Sequence, residues 1–217
     1  MDKPILFSAE MIKAIDEDRK NRTRRVIKKI PCECGNWIPC EVSNTTKEGY
    51  QASGHSGLWS CESCMSEPAK SPYIVGETRW IQETWKIDRI DYDGFSILIS
   101  YKAGGKNTVQ FSKERYFKFR KFSLKGGWQS PYFMPREAAR SFIEITDVKP
   151  ERLQDITEED AKAEGVSPIV DAHLNILPNG YRLAFSDLWN KLNLKRGYGY
   201  DMNPWIRVIS FEKVNTK

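Results

Sequence analysis

Hydrophobic positions along the chain fall into short, separated groups whose spacing changes from helical to alternating and back. Ser8 stands where a helix N-cap belongs, and Phe7 and Ile12 occupy the two positions of a hydrophobic staple. Met11, Ile12 and Ile15 then predict a short amphipathic helix that ends before Asn21. Residues 77–85, rich in Trp, Thr and Ile, predict a strand. Phe95, Ile97, Ile99 and Tyr101 alternate with Ser96, Leu98 and Ser100, a strand with one wholly apolar face. The β-branched and aromatic runs 141–148 and 205–211 predict two more strands. Between these two lie two helices. Thr157 with Asp160 makes a capping box in which Asp replaces the usual Glu, and Gly165 suits the C-terminal end. Phe185, Leu188, Trp189 and Leu192 recur at helical spacing on one face. Short strands interrupted by a few short helices predict an α+β domain built on a small β-barrel or curled sheet, about five to six strands in all.

One segment departs from this pattern. From Pro31 to about Pro72 aliphatic residues thin out, Gly, Ser and Asn accumulate, and all five cysteines of the chain appear. The expected organisation is therefore a barrel domain of residues 1–30 and 72–217 interrupted by a Cys-rich insertion, 31–71. Cys32-x-Cys34, Cys40 and Cys61-x-x-Cys64 are paired closely enough to bind metal. Two thiolates at each end of a loop supply a tetrahedral Zn²⁺ site, and the second pair has the spacing of a zinc knuckle. The expected ligands are Cys32, Cys34, Cys61 and Cys64, with Cys40 or His55 as substitutes. Four thiolates leave no open coordination position, so such a zinc is structural. No organic cofactor is expected, and free thiols are the alternative.

Composition narrows the class. With 217 residues, 40% hydrophobic and 12% aromatic, the chain can build a core, which excludes wholesale disorder. Its apolar runs are far too short for a membrane helix. The N-terminal MDKPILFSAE carries an acid and no sustained apolar region, unlike a signal peptide, and a cytoplasmic protein with no membrane partner is the expectation. The net charge of +5 is unevenly placed. Residues 13–29 hold eight Lys/Arg against three acids, and 113–125 hold six against one, whereas 151–164 hold six acids against two bases. Basic clusters beside aromatic residues suit a phosphate-bearing partner; solvated helix and loop faces are the simpler alternative.

The candidate chemistry lies in Lys20-x-x-Thr23-x-Arg25. A Thr hydroxyl attacks only when a base takes its proton, and Lys serves as base only with a depressed pKa. Arg19, Arg22, Arg24 and Arg25 would depress it, since like charges disfavour the ammonium. The same residues also suit an anion-binding turn, or an undirected basic loop. Two carboxylates are candidate partners. Glu164 sits at the last turn of a short helix, where a charge is ordinarily exposed, and Glu83 lies between Trp80 and Trp85, where burial would raise its pKa.

Several motifs together resemble the ASCH-domain proteins, relatives of the PUA RNA-binding fold, and most of all a group encoded by phages and prophages. Pro4-Ile-Leu-Phe-Ser-Ala-Glu-Met-Ile followed by Arg19-Lys20-x-x-Thr23-Arg24-Arg25-Val26 resembles the opening of that family. Gly76-Glu-Thr-Arg-Trp-Ile-Gln-Glu-Thr-Trp85, Phe133-Met-Pro-Arg136, Ile143-Glu-Ile-Thr-Asp-Val148, the acidic stretch 151–165, Phe185-x-x-Leu-Trp-Asn190 and Asn203-Pro-Trp205 resemble its later segments. The resemblance spans residues 3–213. It implies a PUA-like barrel, a bacterial-host cytoplasm, and a cleft that binds RNA, single-stranded nucleic acid or a modified nucleoside. A small bacterial ASCH enzyme, an N4-acetylcytidine amidohydrolase, carries a Lys, Thr and Glu triad. Its Lys-x-x-Thr-x-Arg and Thr-Glu-x-x-Ala-x-x-Glu motifs fall on Lys20, Thr23 and Arg25 and on Thr157, Glu158, Ala161 and Glu164. The resemblance therefore implies Lys20, Thr23 and Glu164 as catalytic residues, with Arg22, Arg24, Arg25, Trp80, Glu83 and Trp85 lining the substrate site. Ribonuclease activity, found in the wider family, is the other hydrolytic alternative. The greater length and the Cys-rich insertion distinguish this chain from the enzyme.

Overall fold

The structure is a computed structural model, which describes residues 3–28, 37–39, 58–61, 69–92 and 94–214. Its strands are β1 (Lys3–Leu6), β2 (Arg22–Val26), β3 (Trp37–Pro39), β4 (Leu58–Cys61), β5 (Ala69–Lys70), β6 (Thr78–Gln82), β7 (Trp85–Asp91), β8 (Ser96–Tyr101), β9 (Lys106–Gln110), β10 (Phe142–Arg152) and β11 (Trp205–Val214). The α-helices are α1 (Ala9–Asp16), α2 (Lys113–Lys125), α3 (Glu158–Ala163) and α4 (Gly180–Asn193). The class is mixed α+β. Among the described residues no helix is long and apolar enough to cross a membrane. The chain divides into two compact units: Met1–Glu17 with Thr78–Ile143 and Lys213–Lys217, and Asp18–Glu77 with Glu144–Glu212.

In the first unit β1 runs parallel to β6, and β7, β8 and β9 form an antiparallel sheet. Alternation along β8 buries Ile97, Ile99 and Tyr101 to 2% exposure or less, as the apolar face predicts. Phe95 departs from that prediction. It precedes the strand with a left-handed φ of 51° and packs its half-buried ring on the same core. The predicted strand 77–85 is likewise two strands, broken at Glu83 and Thr84. Helix α2 was not legible as a helix behind its charge. Tyr116, Phe119 and Phe122, three residues apart, turn one face of it onto the core of Trp80, Trp85, Phe111 and Met134. Ser8 caps α1 by accepting from the Met11 amide, as its position predicts.

In the second unit β10, β11 and β2 are neighbours in that order, with β2 antiparallel to β11. Leu153, Ile156, Ala161, Phe185, Trp189, Ile206 and Val208 form one core cluster, at a gain of about 1.5–3 kcal/mol for each large side chain buried. The helical face predicted from Phe185 and Trp189 is the buried face of α4, while Leu192 of the same predicted stripe is exposed. Both halves of the Thr157–Asp160 capping box are present, and Gly165 follows α3 at φ +80°, the left-handed conformation that favours glycine. A separate antiparallel sheet of β3, β4 and β5 crosses the Cys-rich segment and carries Cys61 on its central strand. Cys32, Cys34, Cys40, Cys64 and His55 lie outside the described residues.

Candidate functional site

The basic motif is a strand rather than the turn or loop its composition suggests. Arg22–Val26 is β2, whose residues 22–26 register against Ser210–Ile206 of β11. Thr23 and Arg24, adjacent and so on opposite faces of the strand, are both buried, so a basic run need not be a solvated one. The segment just before β2 meets the end of α3. Lys20 and Glu164 form an antiparallel bridge, the Asn21 amide donates to the Ala163 carbonyl, and Arg19 donates to the Gly165 carbonyl.

At this junction the chain buries a compact set of charges. The Lys20 ammonium donates to the Glu164 carboxylate (2.6 Å), the Glu164 carbonyl (2.9 Å) and the Arg22 carbonyl (2.6 Å). Three acceptors match the three protons of an ammonium. The Lys20 side chain is fully buried and that of Glu164 is 5% exposed. Arg24, also buried, donates to Glu164 Oε1 at 3.1 Å, approaches Asp160 Oδ2 at 3.2 Å and Glu151 Oε2 at 3.8 Å, and lies over the Phe185 ring. Arg22, half-buried, pairs with the other oxygen of Asp160. Lys20, Arg22 and Arg24 thus face Glu151, Asp160 and Glu164, three charges of each sign. Glu151 is shared with the more exposed Lys149 at 2.5 Å, and each charge of the set has a partner of opposite sign, which is how charges withstand burial.

Burial pushes the Lys20 ammonium below the usual lysine range, and the Glu164 carboxylate opposes that shift. Arg25 and Arg24 act in the same direction as burial but more weakly. Sequence reasoning gave the arginines as the cause; desolvation is the larger one. Glu164 is not an exposed last-turn charge either, because the segment 19–22 covers it. Thr23 is buried on β2, three residues beyond Lys20, and Arg25 on the same strand is half-buried opposite Arg207. Asp160 is the functional residue that sequence reasoning missed. Its capping-box role was legible, but the oxygen that accepts from the Thr157 amide, Oδ2, also meets Arg24, and the other, Oδ1, pairs with Arg22.

Beside this buried set lies a cleft of about 410 Å³. Arg19 and Asn21, which flank Lys20, line one part of it, and Lys162 and Ala163, which precede Glu164, line another; Tyr181, residues 166–168 and two acids, Asp18 and Glu159, also line it. The volume falls in the range of small-molecule sites.

Trp80, Glu83 and Trp85 belong to the other unit. Trp80 and Trp85 are buried in its core, 7% and 1% exposed, so neither offers a free ring face for stacking. Glu83 is buried too and accepts a bidentate pair from Arg140 at 2.7 and 2.8 Å. Its burial raises the carboxyl pKa, as the flanking tryptophans suggested, while Arg140 pulls it back. Arg140 also lies 4.3 Å from the Tyr101 ring centre, and burial there pushes the Tyr101 phenol up to about 12. Comparison of the chain with protein-family models, with curated proteins and with solved structures yields no match in any of the three.

Proposed function

We propose that the chain is a nucleic-acid or modified-nucleoside binding protein of the ASCH type, and that its ligand occupies the cleft beside the Lys20–Glu164 pair. The observation that carries this reading is the position of that cleft: its lining includes chain neighbours of both Lys20 and Glu164. Arg19 and Lys162 supply cations for a phosphate, and the Tyr181 ring supplies a face for a base. The charged set beneath, anchored by the three hydrogen bonds of Lys20, serves as a rigid floor. Titration with N4-acetylcytidine, cytidine and cytidine monophosphate tests the reading by calorimetry. Binding that Arg19→Ala and Lys162→Ala weaken supports it, and heats indistinguishable from buffer refute it.

The 2.6 Å contact between Lys20 and Glu164 favours a second reading, an amidohydrolase in which Thr23 attacks an acyl carbonyl. Lys20 would take the Thr23 proton and Glu164 would protonate the departing amine. This reading requires Lys20 to give up a proton, because an ammonium with three acceptors has no lone pair to offer. Deacetylation of N4-acetylcytidine by the wild type, lost in Thr23→Val, would establish it. Within the same ASCH reading, the strands belong to a PUA-like barrel. Four thiolates, Cys32, Cys34, Cys61 and Cys64, suit one structural Zn²⁺. Elemental analysis of the purified chain checks for one zinc per molecule.

A further inference from the structure

The first unit carries a second, larger cleft that the Lys20 motif does not touch. It measures about 650 Å³ and lies between α2 and the segment Pro131–Arg136. Cations and rings alternate around it. Arg115, Lys118, Phe119 and Phe122 present one face of α2 at spacings of three and four residues, and Tyr132, Phe133 and Arg136 face them. The rings are ordered: Phe119 stacks with Phe122 (6.1 Å between centres, 24° between planes), and Phe122 tilts against Phe133 at 5.8 Å. The outer members of this series are open to solvent, Phe133 at 57% and Tyr132 at 76% exposure. Among the described residues no acidic side chain lines the cleft. Among the described residues neither Lys118 nor Lys121 has an anionic partner, while Arg115 is paired with Glu137 outside the lining.

We infer that this cleft binds single-stranded nucleic acid, with a base stacked on Phe133 and Tyr132 and the flanking phosphates on Lys118 and Lys121. Charge selects a polyanion, and the rings select among polyanions. An acidic peptide offers carboxylates but no flat π-face for two exposed rings, whereas every base does. The cleft is large enough to take a base with its sugar and phosphate.

The test is fluorescence anisotropy of labelled dT12 and rU12 oligonucleotides with the full chain, across a salt series; the two probes separate DNA from RNA. Binding should weaken with salt, each phosphate contact adding about −0.7 to the log–log slope. Replacing both lysines (Lys118→Gln with Lys121→Gln) should therefore flatten the slope by about 1.4. Phe133→Ala and Tyr132→Ala should each weaken binding by about 5- to 150-fold, the usual loss on removing one stacking ring. Both side chains are exposed, so these variants stay folded, which thermal melts verify. The inference is overturned if neither oligonucleotide binds, if the two ring variants bind like the wild type, or if a twelve-residue poly-glutamate competes as well as dT12. These readouts are independent of the first cleft: nucleoside titration reports on Arg19 and Lys162, and the ring variants report on the segment Pro131–Arg136 that faces α2.

Discussion

Residues 19–25 and helix α2 are the two most basic stretches described, and the fold treats them in opposite ways. In the first, Lys20 and Arg24 are buried and every cation of the set meets a carboxylate from 151–164. In the second, the cations ring an aromatic face, and Lys118 and Lys121 lie open to solvent. The difference lies in the partner segments. A short strand beside the end of an acid-rich helix can satisfy its charges at fixed distances, so the charges become structure. A helix that must bury Tyr116, Phe119 and Phe122 turns its apolar side inward, and its cations are left facing outward. Density of charge in a sequence therefore says little about function until its complement is located.

The sharpest way to break this contrast is to delete one charge from each region. Glu164→Ala strands Lys20 in the interior and should lower stability by about 3–5 kcal/mol in urea denaturation. Lys118→Gln should change it by no more than about 0.5 kcal/mol. Comparable losses in the two variants would erase the distinction. Replacing the whole pair with apolar side chains (Lys20→Met with Glu164→Leu) should recover most of the loss, since the cost is that of an unpartnered charge.

A second experiment sharpens the contrast with pH. Burial holds the folded pKa of Glu83 above its ordinary 4.5. Between the two values the folded chain binds the extra proton, so this contribution to stability is full below pH 4.5 and is lost as pH rises through the folded pKa. One proton gives a slope of at most about 1.4 kcal/mol per pH unit. Glu83→Gln should flatten that part of the stability profile, measured by denaturation at a series of pH values. The smallest effect belongs to the exposed pair Arg115–Glu137, both more than a third exposed. Arg115→Gln should cost about 0–1 kcal/mol at low salt and nothing measurable in 1 M NaCl.

The sequence carried the elements whose cause is local. The Ser8 cap, the Thr157–Asp160 box, the alternation of β8 and the stripe on α4 each depend on residues within a turn or a strand of one another; the two caps are found where the pattern put them, and the strand and the stripe are too except for Phe95 and Leu192. What was not legible depended on distant neighbours. Nothing within 22–26 says that this basic run pairs with β11, and nothing around Phe95 says that its backbone turns left-handed before the strand begins. The contact between Lys20 and Glu164 joins residues 144 positions apart, so residue type and local pattern alone did not reveal it; the family resemblance named both residues as candidates without their geometry. The opposite charge of 13–29 and 151–164 was the one long-range signal on offer, and it pointed the right way.

The closed hydrogen bonding of Lys20 also makes it a clock. An amine reacts with an acylating reagent only through a free lone pair, and the Lys20 nitrogen is both sealed from solvent and committed to three acceptors. Its neighbours Lys28 and Lys162 are under no such restraint, so they would be labelled at the reagent's own rate. Lys20 would be labelled only in the brief intervals when the segment 19–22 lifts from the end of α3. The lag between those two rates, read by mass spectrometry, measures how often this junction opens, and a ligand seated in the adjoining cleft would lengthen it.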